Sequence, residues 1–400
     1  MQIFTVALLA TATIASLFLC VDYYETQMKT SRQYSQTLYS RYYRQEPLMN
    51  SINLNCSLNN VENLKKYKFD IGSVERKILS VGNRCNFYEE AFSFRNVSNS
   101  KEEEEYPLAY GILPYRNFFI FMLAAFYEPQ NVYCIAVPLN GEANFVTLVN
   151  ELPKCFPNVH TVQVEETKWA NFEIIRAVHS CLVSLDQLSV PWKYYQYLAG
   201  VDLPLRTNLE MVRIFKELKD VPIAGVGNYP MHLLNGKKAK INAGKTTVLT
   251  TCATTKQPII IGQDRYEYNR QKPLMNSINL NCSLSNVGNL KCDEKTKICV
   301  YGSIARLQIW GGGKCRGKWT NGSCVFGAGD LEVLLKGAHL IAHKFYLDFQ
   351  PAAFFCILKE LERRRTTPDL TFDYQQYGKL PQVELGIGVP FANLTNPQFL

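Results

Sequence analysis

Hydrophobic and polar positions divide the chain into stretches of different character. From Ile3 to Cys20 every residue is apolar or small and none is charged. A run of roughly 18 such residues is near the minimum that spans a bilayer, and it equally suits a signal sequence. No Lys or Arg precedes it, so the positive-inside rule does not choose between a cleaved peptide and a retained anchor. From about Asp22 to Tyr106 the chain is polar and Tyr-rich with weak periodicity, closing on the acidic run Glu102 to Glu105. Such a stretch reads as a stem. The alternation then sharpens: apolar runs at Leu108 to Leu113, Val132 to Val137 and Val159 to Val164 predict strands, separated by segments that predict helices. Alternating strands and helices imply a parallel α/β sheet with right-handed crossovers.

Pro114 to Tyr127, rich in Phe, Leu and Ala, predicts a first buried helix, and Ala170 to Leu188 a later one. Thr207 followed three residues on by Glu210 has the spacing of a capping box, with Leu209, Val212, Phe215 and Leu218 on one face of the helix it would start. Asp330 is placed to cap a helix running through Leu331, Leu334, Leu335 and Leu340 towards Phe345. From about Thr366 the chain reads as an extended tail.

An internal repeat interrupts this pattern. Tyr42 to Lys65 and Tyr268 to Lys291 differ at only four of 24 positions. Solenoid repeats diverge and recur, whereas this pair is nearly identical and isolated, which points to a recent duplication or a faulty gene model.

Composition narrows the classes. A net charge of +8 over 400 residues is mild and locally balanced, so a nucleic-acid surface is not called for. Thirteen cysteines without a Cys-x-x-Cys pair or a Cys/His cluster at zinc spacing favour disulfides in an oxidising compartment. Sequons at Asn55, Asn96, Asn281, Asn321 and Asn393 agree with that. Gly244-Lys245-Thr246-Thr247 suggests a phosphate loop, but its leading glycine is replaced by Ala239. The five histidines, at 160, 179, 232, 339 and 343, show no metal-ligand spacing and read as structural or surface residues.

Four ordered blocks carry a resemblance. They are Glu104-Glu105-Tyr106-Pro107-Leu108-Ala109-Tyr110; Tyr127-Glu128-Pro129 through Tyr133-Cys134-Ile135, followed by Lys154-Cys155-Phe156-Pro157; Leu198-Ala199-Gly200-Val201-Asp202-Leu203-Pro204-Leu205-Arg206-Thr207-Asn208; and Ser323-Cys324-Val325-Phe326-Gly327-Ala328-Gly329-Asp330-Leu331, followed by His343-Lys344-Phe345. Read in order, over about Glu104 to Asp220 and Ala305 to Arg364, the chain resembles the core-2/I-branching β-1,6-N-acetylglucosaminyltransferases. The resemblance implies an α/β, GT-A-like (Rossmann-like) domain behind an N-terminal anchor and stem. The expected organisation is an anchor or signal peptide over 1–21, a stem over 22–105, a glycosyltransferase-like domain over 106–364 with an anomalous insert at 222–304, and a tail over 365–400. It further implies disulfides joining Cys56 to Cys356, Cys85 to Cys155, Cys134 to Cys181 and Cys315 to Cys324, with Cys282, in the second repeat copy, as a competitor for Cys356.

The implied activity is transfer of N-acetylglucosamine from UDP-N-acetylglucosamine to O-glycan acceptors with inversion, in a Golgi membrane protein with a lumenal domain; a secreted form is the alternative. Such a transfer needs a base for the acceptor hydroxyl and positive charge for the departing diphosphate. The resemblance implies that basic side chains supply the charge without a metal or other cofactor. Lys344 falls at the diphosphate-binding position, although a lysine in the last turn of a helix is commonly an ordinary surface residue. Asp202 falls at a strand end lining the sugar site, or else is a turn residue bonded to its own backbone. Three positions depart from the pattern. Asn321 stands where a second, basic side chain is expected, and Pro138 stands where an Asp would meet uridine. No Ser-Pro-Asp-Glu stretch occurs between Val221 and Ile304. Asp264, Glu267, Asp293 and Glu294 lie in that interval without a matching setting, so no catalytic base is assigned. These departures favour, as the rival reading, an inactive relative that binds glycans or partner glycosyltransferases.

Overall fold

In a computed structural model of the chain, residues 52–92, 94, 100–114, 119–167, 173–221, 223–224, 259–261, 304–309, 313–368 and 371–396 are described. The apolar run at 3–20, residues 42–51 of the first repeat copy, the whole of the second copy, and Asp264, Glu267, Asp293 and Glu294 lie outside these residues. Among the described residues no helix is long and apolar enough to cross a membrane.

Four short helices come first: α1 (Val61–Lys66), α2 (Ile71–Ser80), α3 (Arg84–Phe92) and α4 (Lys101–Glu104). The polar stretch preceding Tyr106 is thus locally helical where it is described. Its few apolar residues are used fully. Val74 and Ile78 of α2, with Tyr88, Ala91 and Phe92 of α3, are buried. Asp70 accepts from the Ser73 amide to cap α2.

The α/β part follows: β1 (Leu108–Leu113), α5 (Phe119–Phe126), β2 (Val132–Pro138), α6 (Ala143–Cys155), β3 (Val159–Val164), α7 (Glu173–Asp186), β4 (Tyr194–Ala199), β5 (Asp202–Pro204) and α8 (Asn208–Glu217). Short strands β6 (Ile223–Ala224), β7 (Ile259–Ile261) and β8 (Arg306–Leu307) precede a hairpin of β9 (Lys318–Thr320) and β10 (Ser323–Val325). Then come α9 (Leu331–Lys336), β11 (Ile341–His343), α10 (Ala352–Thr366) and α11 (Pro381–Gly386). The three strands and the two early helices read from periodicity fall within a few residues of their expected bounds. Nearly every side chain of β1 and β2 is buried, as strands covered on both faces require.

The main sheet has the order β3-β2-β1-β4-β7-β6, and all its pairings are parallel. One face packs Ala109, Cys134, Ala136 and Tyr195 against Ala177, Cys181, Leu182 and Leu185 of α7. On the other, Tyr110 and Tyr133 stack at 5.4 Å, and Tyr110 packs on Phe126 of α5 at 5.6 Å. The N-terminal helices join the second face. Phe92 meets Phe121 at 4.9 Å, Phe69 meets Phe355 of α10 at 4.8 Å, and Arg84 pairs with Glu151 at 2.7 Å.

The four disulfides that the resemblance implies are formed: Cys56–Cys356, Cys85–Cys155, Cys134–Cys181 and Cys315–Cys324. The first two clamp the N-terminal helices to α10 and α6. The Thr207/Glu210 capping box is present, with the Thr207 hydroxyl accepting from the Glu210 amide and a Glu210 carboxylate oxygen accepting from the Thr207 amide.

Two local expectations are corrected. The helix after Asp330 stops at Lys336, because Gly337 turns extended (ψ 158°) and the apolar residues beyond it enter a strand, β11. The Asp330 side chain does not cap α9 but accepts from the Gly327 and Arg316 amides. The C-terminal segment is not extended throughout: it folds into a 3₁₀ helix over Gln375–Lys379 followed by α11, with Pro381 at the start of α11. Tyr377 and Val383 anchor it to the core at 1% and 0% exposure, which is why a polar-looking tail is held in place.

Candidate functional site

The strand order reverses direction between β1 and β4. In an open parallel sheet the crevice outside the carboxyl ends of the strands at such a point is where ligands bind. Here the chain leaves β4 at Ala199, turns through Gly200 and Val201, and enters β5, the edge of a second sheet ordered β5-β11-β8. This small sheet carries the residues singled out above. Asp202 lies opposite His343 in the antiparallel β5/β11 register, and Phe345 N donates to the Val201 carbonyl at 3.0 Å. Asp202 and Lys344, 142 positions apart by number, therefore meet at the end of β4.

Asp202 is fully buried, and its two carboxylate oxygens have three partners. Oδ2 accepts from the Ala199 amide at 2.8 Å and from Arg306 at 2.9 Å; Oδ1 lies 2.7 Å from Nδ1 of His343. The bond to Ala199 is the turn contact expected of an Asp at this position, and the Arg306 and His343 partners add a buried ionic knot. The Arg306 guanidinium, 1% exposed, also donates to the Tyr197 carbonyl at 3.0 Å and lies 5.0 Å from the Tyr197 ring. The geometry makes Asp202 a positioning residue that locks β4, β8 and β11 together. A neutral His343 would donate to it from Nδ1, which leaves Nε2 as the basic atom. The His343 side chain is 15% exposed.

Lys344 is not in a helix. It follows β11, its carbonyl accepts from Phe326 N at 2.9 Å, and its ammonium donates to the Thr320 carbonyl at 3.0 Å. Burial pushes its pKa below the ordinary lysine value. Lys318, on the same hairpin, was not singled out by sequence. Its ammonium and that of Lys344 lie 5.8 Å and 5.5 Å from the centroid of the Tyr346 ring, and Lys318 is also 4.7 Å from Phe349. The hairpin thus brings a second cation to the Tyr346 ring that Lys344 contacts. Asn321 stands at its tip with φ 51°, followed by Gly322 at φ 74°, the Asn-Gly pair that a tight two-residue hairpin turn prefers. Pro138 ends β2, pairs with Val164 and is buried.

Nothing in the sequence distinguished Arg306 or Lys318, and His343, although within the fourth block, read as a structural or surface histidine. Arg306 falls where the resemblance resumes, and His343 adjoins a singled-out lysine, but the partners of all three are remote along the chain. Among the histidines, 160, 179 and 339 have pKa values lowered chiefly by burial, and His232 lies outside the described residues. Asn55, Asn321 and Asn393 are exposed, whereas Asn96 and Asn281 lie outside the described residues. Cys315, Cys324 and Asp330 bring ligand-type atoms within 4.8 Å of one another, but both sulfurs are committed to a disulfide.

The class these features define is an α/β protein with an open parallel sheet, near whose switch point stand a buried Asp–Arg–His knot and a cationic hairpin. Residues 108–271 match the family model described as Core-2/I-Branching enzyme. The human β-1,3-galactosyl-O-glycosyl-glycoprotein β-1,6-N-acetylglucosaminyltransferase 3 is 29% identical over 73% of this chain and 76% of its own length. A second human protein, β-1,3-galactosyl-O-glycosyl-glycoprotein β-1,6-N-acetylglucosaminyltransferase, is 26% identical over 78% and 86%. The mouse N-acetyllactosaminide β-1,6-N-acetylglucosaminyl-transferase is 26% identical over 70% and 79%. The match to the family model continues to residue 271, past the last ordered block before the repeat.

Proposed function

We propose that this chain is a GT-A-like β-1,6-N-acetylglucosaminyltransferase that transfers N-acetylglucosamine from UDP-N-acetylglucosamine to O-glycan acceptors. The relatives named above carry that activity in their names. The observation that carries the reading to this chain's own residues is Lys344, held by the Thr320 carbonyl and sharing the Tyr346 ring with Lys318. In the transfer, the acceptor C6 oxygen forms a bond to C1 of the sugar while the bond from C1 to the diphosphate oxygen breaks. The electron pair leaves with UDP, and the acceptor proton passes to a base. Two ammonium groups in a partly buried setting offset the charge that develops on the leaving diphosphate, a role that needs no metal. Asp202 holds β5 against β11 and so fixes where Lys344 stands. We place the chain at the Golgi membrane with its folded part in the lumen, in keeping with the apolar run at 3–20 and the disulfides.

The test is a transfer assay on the purified protein with UDP-N-acetylglucosamine and a β-1,3-galactosyl-O-glycoside, with and without EDTA. Metal-independent formation of a β-1,6-linked product supports the reading. Saturable UDP binding without product would favour an inactive glycan-binding relative, and absence of both would sink the proposal.

A further inference from the structure

Away from the β4–β5 turn, a cavity of about 340 Å³ opens between the 337–338 segment, α8, α10 and the C-terminal 3₁₀ helix. Four cations line it, Arg206, Lys336, Arg363 and Arg364, against two carboxylates, Glu210 and Glu360. Both carboxylates are committed. Glu210 pairs with Arg364 at 2.7 Å and Glu360 pairs with Arg363 at 2.7 Å. Lys336 is matched from outside the cavity by Glu332 at 2.9 Å.

Arg206 is different. It is 6% exposed, and its guanidinium donates to the carbonyls of Leu205 and Gly337 and to the Tyr377 hydroxyl. All three acceptors are neutral. Its Nε has no partner, and no carboxylate lies within ion-pair distance of it among the described residues. A buried guanidinium without a counter-charge is costly. The field it leaves is felt next door: His339 has its pKa pushed down to about 4 by burial and then by Arg206. Phe372, 5.3 Å from the Arg206 guanidinium, and Tyr377 give the cavity an aromatic wall.

We infer that this cavity is a second binding site, distinct from the proposed donor site, for a tetrahedral oxyanion, sulfate or phosphate, free or borne as an ester on a sugar. The oxyanion supplies the charge that Arg206 lacks, with Lys336 and Arg363 at the mouth. The volume falls within the range of small-molecule pockets, about 300–1,000 Å³, so a sugar can accompany the anion against the aromatic wall. The site does not depend on the glycosyltransferase reading.

Calorimetric titration of the full chain at fixed ionic strength tests it, with sodium sulfate, N-acetylglucosamine 6-sulfate and neutral N-acetylglucosamine as probes, and with neither UDP nor acceptor present. The wild type should bind sulfate saturably. Arg206→Gln should weaken binding about tenfold or more, in line with the loss of a charge-assisted contact. The surface double variant K336E/R363E should weaken it too, and K344A should leave it unchanged. Tighter binding of the sulfated sugar than of sulfate identifies an acidic glycan as the ligand, and equal binding a free ion; both support the site. No saturable binding by wild type overturns the inference, as does binding retained in R206Q and K336E/R363E, or binding lost in K344A. If R206Q does not fold, K336E/R363E decides alone.

Discussion

Replacing Asp202 by Ala removes the acceptor for three groups at once: the Ala199 amide, Arg306 and His343. The Arg306 and Asp202 side chains are 1% and 0% exposed, which puts the pair in the regime where breaking a buried ion pair costs about 3–5 kcal/mol. With roughly 2.1 cal/mol/K of unfolding entropy per residue, and the compact unit running from Ile52 to Leu400, this corresponds to a fall in Tm of about 4–7 °C. Arg306→Met alone leaves Asp202 with only the Ala199 amide and His343 as partners and should also destabilise the fold. The double variant D202A/R306M should be much less destabilised than the two single effects summed, because the pair's mutual interaction is lost in each single variant and would otherwise be counted twice. The assay is thermal unfolding of the four proteins followed by circular dichroism, read as a double-mutant cycle. Single losses that add within about 0.5 kcal/mol would refute the claim that the two side chains act as one buried unit.

Lys344→Ala should raise the KM for UDP-N-acetylglucosamine by about tenfold or more while leaving Tm nearly unchanged, read in steady-state kinetics alongside thermal melts. Because burial lowers the Lys344 pKa, raising the pH discharges its ammonium earlier than that of an ordinary lysine; UDP affinity should therefore fall with alkalinity in the wild type and stay flat in K344A, as titrations across pH 7–10 would show. His339 works in the opposite pH range. Its folded pKa of about 4 lies below the ordinary 6.5, so the unfolded state takes up the proton first, and stability present above about pH 6.5 should be lost progressively as the pH falls towards 4. His339→Leu should flatten that part of the pH–Tm curve. Cys56→Ala with Cys356→Ala, which opens a link spanning 300 positions, should cost about 2–5 kcal/mol; peptide mapping without reductant should recover the Cys56–Cys356 pair from the wild type, and recovery of Cys282–Cys356 instead would contradict the structure.

Local pattern was enough to find much of this protein. The strands at 108–113 and 159–164, the capped helix at 208 and the early buried helices are all visible because burial on a sheet or helix face imposes a period that the sequence repeats within a few residues. The family resemblance was also legible, because its blocks are contiguous runs. The run Leu340 to Phe345 was not, since a short apolar stretch fits a helix as well as a strand. Only its pairing with β5 and β8 decides that it is β11. The polar C-terminal segment gave no local sign that Tyr377 would reach Arg206, 171 positions away. What the sequence by itself determined is therefore the class of fold, the family resemblance and the candidate lysine. What only the tertiary structure decided is the company each charge keeps. Asp202 with Arg306 and His343, Lys344 with Lys318, and Arg206 without a carboxylate all depend on contacts between remote elements, and electrostatic partnership, unlike periodicity, leaves no trace in neighbouring residues.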